Sequence, residues 1–153
     1  MKQIIIILGI FFLDRTSKIY LLSLQSSGTD IDFYINSFLN FYLVWNTGIG
    51  FGLVSMETNI FYHILTAIIF FIILVLIYMT IKSEGLKKYS YIMVLGGALG
   101  NLFDRVSHKA VPDFIDFHVG NFHWFIFNVA DIFITIGVLF MIIFELTDKK
   151  QKL

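Results

Sequence analysis

Two aspartates of this chain occupy positions where a pair of carboxylates would be able to hydrolyse an amide. Asp113 follows Pro112, whose ring fixes its own backbone and restricts Val111 to extended geometry, so the sequence predicts a stiff loop here. Asp131 lies three residues after Asn128, where a long apolar segment begins. Two carboxylates brought close together share one proton, so that one activates a water molecule while the other donates to a carbonyl oxygen. This chemistry needs neither a serine nor a cysteine nor a metal ion.

Each of these carboxylates also has a structural explanation when it is considered alone. An aspartate in the first turn of a helix complements the helix macrodipole, which would account for Asp131. Asp113 and Asp116 would be ordinary residues of a surface loop. The chemical interpretation is favoured because two polar helix ends and one rigid loop are predicted to meet at the same interface of a small protein.

A third polar group lies in a segment that contains closely spaced glycines. Gly96 and Gly100 form a small-xxx-small pair, which permits two helices to approach closely. Asn101 lies three residues before Asp104 and four before Arg105, so that all three side chains can point toward one place. The structural alternative is that they form hydrogen bonds between helices, with Asp104 and Arg105 as an internal pair.

Near the amino terminus, Asp14 and Lys18 are spaced four residues apart and can form an ion pair on one face of a helix. Charged side chains within a membrane usually pair with one another. We therefore interpret these two residues as a structural pair that orients the helix, in preference to a direct catalytic role.

The composition is that of a membrane protein. Hydrophobic residues make up 58% of the 153 residues and charged residues 14%, whereas soluble domains average about 45–50% and about 25%. The net charge is zero, which gives no indication of a nucleic-acid partner. The chain has no cysteine, and its four histidines form no motif such as H-E-x-x-H, so we expect neither a metal nor another cofactor.

Hydropathy and charge predict a single membrane domain, residues 1–153, with four spanning helices and both ends in the cytoplasm. The spans are predicted at about residues 4–22, 60–81, 89–106 and 128–146. The first resembles a signal peptide, but Asp14, Arg15 and Lys18 stand where a small-residue cleavage site would be, so we expect it to be retained. Lysines lie next to the predicted cytoplasmic ends of the spans, whereas the predicted outer loop, residues 23–59, contains no lysine or arginine.

The first outer loop is predicted to contain short strands. Residues 31–45 are rich in aromatic and β-branched side chains and are bounded by turn residues. Strands beside a membrane need paired or covered edges. The expected fold is therefore an all-α membrane protein of four transmembrane helices with a small extracytoplasmic β-cradle on the outer membrane surface.

Five stretches of the chain resemble motifs of bacterial lipoprotein signal peptidase, also called signal peptidase II. They occur in that family's order and span nearly the whole sequence, which makes the resemblance specific although each motif alone is weak. The stretches are Asp14-Arg-Thr-Ser-Lys18, Asn46-Thr-Gly-Ile-Gly-Phe-Gly52, Gly96-Gly-Ala-Leu-Gly-Asn-Leu-Phe-Asp-Arg105, Val111-Pro-Asp-Phe-Ile115 and Phe127-Asn-Val-Ala-Asp131.

The resemblance implies a membrane aspartic endopeptidase that cleaves prolipoproteins just before a diacylglyceryl-modified cysteine, near the outer leaflet of the bacterial plasma membrane. It implies that Asp113 and Asp131 are catalytic. The residues expected to bind substrate are Asn46, Gly48, Asn101, Arg105 and Asn128. Asp14, Lys18 and Asp104 are expected to be structural. The implied partners are lipid-modified prolipoproteins, membrane lipids and inhibitors of the globomycin type.

Two departures from the family pattern affect loops and leave the catalytic groups in place. Phe125, where the family often has a proline, follows Trp124, and Gly50 replaces the usual alanine. Two other classes of function remain open from the residues alone: a small transporter or proton relay, and a non-catalytic assembly factor. Transport is disfavoured because the polar cluster is predicted at one interface and the chain shows no convincing internal repeat.

Overall fold

The computed structural model of the protein describes residues 1–48 and 59–150, and within those ranges it contains four helices and a four-stranded sheet. In chain order the elements are α1 (Lys2–Ser26), β1 (Asp32–Asn36), β2 (Leu39–Asn46), α2 (Asn59–Lys82), α3 (Gly85–His108), β3 (Val111–Val119), β4 (Phe122–Phe127) and α4 (Val129–Lys150). A helix is present at each predicted span, and the strands predicted within residues 31–45 are confirmed. The end of the second motif, Ile49–Gly52, lies outside the described residues.

The second outer segment differs from the prediction because it forms a β-hairpin. Asp113 and Asp116, interpreted from the sequence as loop residues, lie in β3 and are each only 3% exposed. Pro112 is compatible with a strand near its first residue, where the missing N–H costs least. The prediction of a loop at Asp113 is therefore wrong, because this segment pairs with β2 and β4 as a strand.

Helix α3 lies at the centre of the bundle and packs against α1, α2 and α4. The predicted close approach at Gly96 and Gly100 is confirmed, since both face α1: a methyl group on Gly100 would lie 2.6 Å from a carboxylate oxygen of Asp14. On the α4 side, a methyl group on Gly97 would lie 2.5 Å from the carbonyl oxygen of Ala130. Glycine thus allows α3 to approach both the carboxylate on α1 and the first turn of α4.

Two of the described helices are long and apolar enough to cross a membrane by length and composition alone. The stretches are Tyr62–Lys82 and Val129–Thr147, with mean hydropathy 3.0 and 2.4. Only 17% and 11% of the most apolar windows are buried inside the protein. A core helix of a soluble protein would be mostly buried, so this exposure favours lipid as the surroundings. Helices α1 and α3, which carry charged side chains in their middle or carboxy-terminal half, do not meet the same criterion.

The strands form one antiparallel sheet in the order β1-β2-β3-β4. A small apolar core of Leu21, Ile31 and Phe114 joins α1 to the start of β1 and to β3. β4 leads through Asn128 directly into α4. The sheet therefore positions β3, which carries Asp113, at the end of the bundle where α4 begins.

Candidate active site

The first turn of α4 is closed by a reciprocal pair of hydrogen bonds between Asn128 and Asp131. The backbone N–H of Asp131 donates to Asn128 Oδ1 at 3.1 Å, and the backbone N–H of Asn128 donates to Asp131 Oδ2 at 3.2 Å. This is a capping box, with asparagine and aspartate in the positions usually held by Ser/Thr and Glu/Gln. The cap fixes the Asn128 amide, because the oxygen accepts from the helix and the NH₂ group must point away from it.

The Asn128 NH₂ group points at Asp113 and so joins the two predicted catalytic carboxylates. Asn128 Nδ2 donates to Asp113 Oδ1 at 2.6 Å, and Asn46 Nδ2 donates to the other oxygen at 2.9 Å. The Asn46 amide is oriented in turn by the backbone N–H of Gly48, which donates to its oxygen at 3.0 Å. Both carboxylate oxygens of Asp113 thus accept hydrogen bonds from oriented side-chain amides.

Asp131 is held in a similar way by Asn101. Asn101 Nδ2 donates to Asp131 Oδ1 at 2.8 Å, while Asn101 Oδ1 accepts from Lys18 Nζ at 3.0 Å. The ammonium group of Lys18 can only donate, so its contact determines which end of the Asn101 amide faces Asp131. The Lys18 charge therefore acts on the carboxylate through an amide rather than by direct contact.

The predicted ion pair between Asp14 and Lys18 is present and belongs to a larger buried cluster. Lys18 Nζ lies 2.8 Å from Asp14 Oδ2 and 2.7 Å from Asp104 Oδ2, and all three side chains are fully buried. Arg15 forms a second ion pair with Asp104. Asp14 Oδ1 also accepts the backbone N–H of Ala130 at 3.0 Å, which satisfies a free donor at the start of α4.

Two features of this cluster differ from what the sequence indicated. Asp104 and Arg105 do not form the internal pair that was considered as an alternative, because Asp104 faces α1 and binds Lys18 and Arg15 there. Arg15 was not among the predicted site residues, although a second cation one residue after Asp14 in an apolar helix indicates that a second anion must face it.

Arg105 lies beside the two predicted catalytic carboxylates without touching either. Its guanidinium donates to the carbonyl oxygens of Asn101 and Gly48, at 3.3 and 3.4 Å, and interacts electrostatically with Asp113 and Asp131. Its Nε is buried and has no hydrogen-bond partner among the described residues. The arrangement places a cation, with an unpaired donor, beside the two carboxylates.

Burial and the neighbouring charge raise the pKa of Asp113 from its ordinary value of 3.8 to about 6. Desolvation is the larger cause and repulsion from Asp131 adds to it, whereas the hydrogen bonds from Asn46 and Asn128 and the charge of Lys18 act in the opposite direction. A carboxyl group with such a pKa exchanges its proton near neutral pH, as a general acid or base requires.

Every residue predicted to be catalytic or to bind substrate lies in this one region of the described structure. Asp113 comes from β3, Asn46 and Gly48 from the end of β2, Asn101 and Arg105 from α3, and Asn128 and Asp131 from the start of α4. The groups that donate to the two carboxylates are side-chain and backbone amides, and the Arg105 guanidinium lies nearby. Within the described ranges, one grouping of possible metal ligands is found, and it lies on the β3–β4 hairpin: Asp116, His118 and His123.

Comparison with known proteins gives one family. The family model for signal peptidase (SPase) II matches residues 6–147. The chain is 48% identical over 150 residues to a lipoprotein signal peptidase of Pelagibacter ubique (strain HTCC1062), covering 98% of this chain and 90% of that protein. It is 39% identical to a protein of the same name from Anaplasma phagocytophilum (strain HZ), covering 97% and 94%. A solved structure described as a bacterial membrane enzyme, determined by the in meso method at 2.3 Å resolution, shares 32% identity with a TM-score of 0.80 and covers 99% of this chain and 92% of that one.

Proposed function

Since the chain belongs to the signal peptidase II family, a family of proteases that remove signal peptides from prolipoproteins, we propose that it is the aspartic endopeptidase that performs this step. The relatives are named lipoprotein signal peptidases, and the similar solved structure is a bacterial membrane enzyme. We propose that the chain acts as one membrane domain. The bond that it cleaves is the amide bond just before a diacylglyceryl-modified cysteine.

One observation carries the assignment of the aspartic mechanism: Asn128 connects the two carboxylates. Its side chain donates to Asp113 while its backbone and side-chain oxygen cap Asp131. A single residue therefore sets the position of one carboxylate relative to the other. Two buried carboxylates whose charges repel one another hold one proton between them, because ionising both would place two negative charges in a poorly solvated site.

In the proposed reaction the ionised member of the pair removes a proton from water while the protonated member donates to the scissile carbonyl oxygen. The tetrahedral intermediate then collapses, and the amine of the lipid-modified cysteine leaves with a proton returned from the pair. Arg105, with its free Nε, lies where it can offset the negative charge that develops on the carbonyl oxygen. Asn46, Gly48 and Asn101 position the carboxylates and the substrate backbone around them.

The burial of the charged residues supports a four-span arrangement in which α1 and α3 also cross the membrane. The charges in the middle of α1 are turned inward, and Asp14 and Lys18 are 0% exposed. Between Ile4 and Ile19 most outward-facing side chains of the same helix are apolar: Ile4, Ile5, Leu8, Phe12, Leu13 and Ile19. Thr16 is also exposed there, and its hydroxyl donates to backbone carbonyl oxygens of its own helix. Lipid would therefore meet an apolar helix surface although the helix contains charges. The lysine distribution supports a topology with both termini in the cytoplasm and the active site near the outer leaflet.

The substrate would enter sideways from the bilayer, because its signal helix and acyl chains are already dissolved in lipid. An apolar groove of about 380 Å³ between α1 and α3 is open on this lipid-facing side. Membrane lipids would occupy it in the absence of substrate. Membership of the family also supports inhibition by cyclic peptides of the globomycin type.

The deciding experiment is cleavage of a purified lipid-modified prolipoprotein by the purified enzyme and its variants. Asp113→Asn and Asp131→Asn should each abolish turnover while insertion into the membrane is retained, because an amide cannot transfer the required proton. Asp30→Asn, the same chemical change on an exposed residue outside the site, serves as the control and should remain active. Mature product at wild-type rates from either site variant would refute the assignment. A transporter or an assembly factor would give no product even with the unchanged sequence.

A further inference from the structure

A second cluster of chemically active side chains lies on the β3–β4 hairpin, away from the two carboxylates. Asp116, His118 and His123 each offer one ligand atom within 4.8 Å of the others. Asp116 Oδ2 lies 2.8 Å from His123 Nδ1 and 3.8 Å from His118 Nδ1, and the two imidazole rings are stacked with their centres 5.1 Å apart. The proposed protease chemistry uses none of these groups.

A β-bulge creates this cluster. In a regular antiparallel register continued from the Phe117–Phe125 pair, His118 would face Trp124, and His123 would point to the opposite side of the sheet. The register shifts after Phe117, so that His118 pairs with His123 instead. Asp116 lies two residues before His118 and shares its face. Bulges often re-aim a side chain at functional sites.

Two polar atoms at this place lack the partners that buried polar atoms normally have. His118 is only 8% exposed, and its Nδ1 has no hydrogen-bond partner within residues 1–48 and 59–150. Asn40 lies opposite Asp116 on β2, and its Oδ1 is also buried and lacks a partner in the part of the chain that the structure describes. Asn40, Asp116 and His123 line one cavity of about 320 Å³, together with the exposed carboxylate of Asp32. An unpaired buried polar atom is costly, and a cation held by Asp116, His118 and His123 would give the His118 nitrogen a partner.

We propose that Asp116, His118 and His123 form a binding site for a divalent metal ion of the zinc class, with the Asn40 oxygen or a solvent molecule completing the coordination. Two imidazoles and one carboxylate are a donor set that suits zinc. Ligand atoms around tetrahedral zinc are separated by about 3.3 Å, given bonds of about 2.0–2.1 Å. The separations of 2.8 and 3.8 Å lie on either side of that value, so small rotations of the side chains would complete the site.

Such an ion would cross-link the strands that carry Asp113 or lead into Asn128. Its ligands come from β3 and β4, with Asn40 on β2. β3 carries Asp113 three residues before Asp116, and β4 ends one residue before Asn128. The metal therefore stiffens the frame of the site without taking part in the reaction, so its removal should lower thermal stability and leave the chemistry intact below the unfolding temperature.

The test is zinc binding by tag-free enzyme in detergent after dialysis against a chelator, measured by competition with a chromophoric chelator. We expect one Zn²⁺ per chain, no competition from Ca²⁺, and a rise in the unfolding temperature when Zn²⁺ is added. His123→Gln, at a side chain that is 56% exposed, should keep the fold and weaken binding by about tenfold or more. His63→Gln, at an exposed histidine on α2, is the matched control and should bind like the unchanged chain.

A second measurement does not depend on any variant. Bound Zn²⁺ should protect His123 of the unchanged protein from diethyl pyrocarbonate, while His63 stays reactive, as read by mass spectrometry. No stoichiometric zinc binding, equal affinity in His123→Gln, or equal modification of His123 with and without zinc would each overturn the proposal. These outcomes are independent of peptidase activity, so they would leave the proposed function untouched.

Discussion

Replacing Asp113 by asparagine should make the protein more stable at neutral pH while removing its activity. The carboxylate is 3% exposed, and burial raises its pKa to about 6 from 3.8. Folding therefore favours the protonated, neutral form of this residue. Asparagine resembles that neutral form in size and hydrogen bonding, and it avoids the cost of burying a charge next to Asp131.

The size of this gain in stability follows from the difference between the ordinary pKa of Asp113 and its pKa in the folded protein. At about 1.4 kcal/mol per pH unit, the difference between 3.8 and about 6 corresponds to about 3 kcal/mol. Because the folded-state pKa is the higher one, the stabilisation from Asp113 is fully present below pH 3.8 and is lost as the pH rises through about 6. The stability advantage of Asp113→Asn should thus be small near pH 4, grow to pH 6, and remain constant above it.

The assay is thermal or denaturant unfolding in detergent at pH 4.5 and pH 7.5, for the unchanged protein, Asp113→Asn and Asp30→Asn. Carboxylates away from the Asp113–Asp131 pair titrate equally in all three proteins and cancel in the difference. Asp30→Asn, on an exposed residue, should show no advantage that changes with pH. If Asp113→Asn gained no stability between the two pH values, or lost stability at pH 7.5, the argument that this carboxylate is buried at a cost would be wrong.

Four further predictions concern the pH profile, the buried ion cluster, the helix contact and the cap. Activity should be bell-shaped in pH, because only the singly protonated pair is competent, and it should survive exhaustive chelation; loss restored by added metal would contradict the aspartic mechanism. Lys18→Ala should lower stability in detergent by about 3–5 kcal/mol and by more than Asp14→Leu combined with Lys18→Leu, since it leaves buried carboxylates uncompensated; additive losses would contradict the pairing. Gly100→Ala should cost about 1–3 kcal/mol through its clash with Asp14, whereas Gly9→Ala, with open space around it, should cost nothing; equal effects would refute the close approach. Asn128→Ala should reduce kcat far more than it raises KM, because it releases both carboxylates from one connecting side chain; an unchanged kcat would show that the connection is not needed.

The sequence by itself determined the helices, the strands of the first outer segment and the ion pair between Asp14 and Lys18. A single hydrophobic run of about twenty residues can form all of its backbone hydrogen bonds in lipid only as a helix. A four-residue spacing places two side chains on one helix face whatever the tertiary fold is. The family was also readable, because five short motifs in a fixed order survive in the chain.

Only the tertiary structure decided which partner each polar group has. Asp104 and Arg105 are neighbours in sequence, yet Asp104 binds cations on α1 while Arg105 faces the paired carboxylates. Asp113 was interpreted as a loop residue because strand pairing with β2 and β4 is a long-range property that local composition does not encode.

The histidine cluster was hidden for the same reason. His118 and His123 have no metal-ligand spacing along the chain, and a single extra residue in one strand turns them to the same face. Sequence spacing predicts contacts within one helix, where the geometry is local. Contacts between elements depend on register and on close helix approach, and these are fixed only when the whole chain has packed.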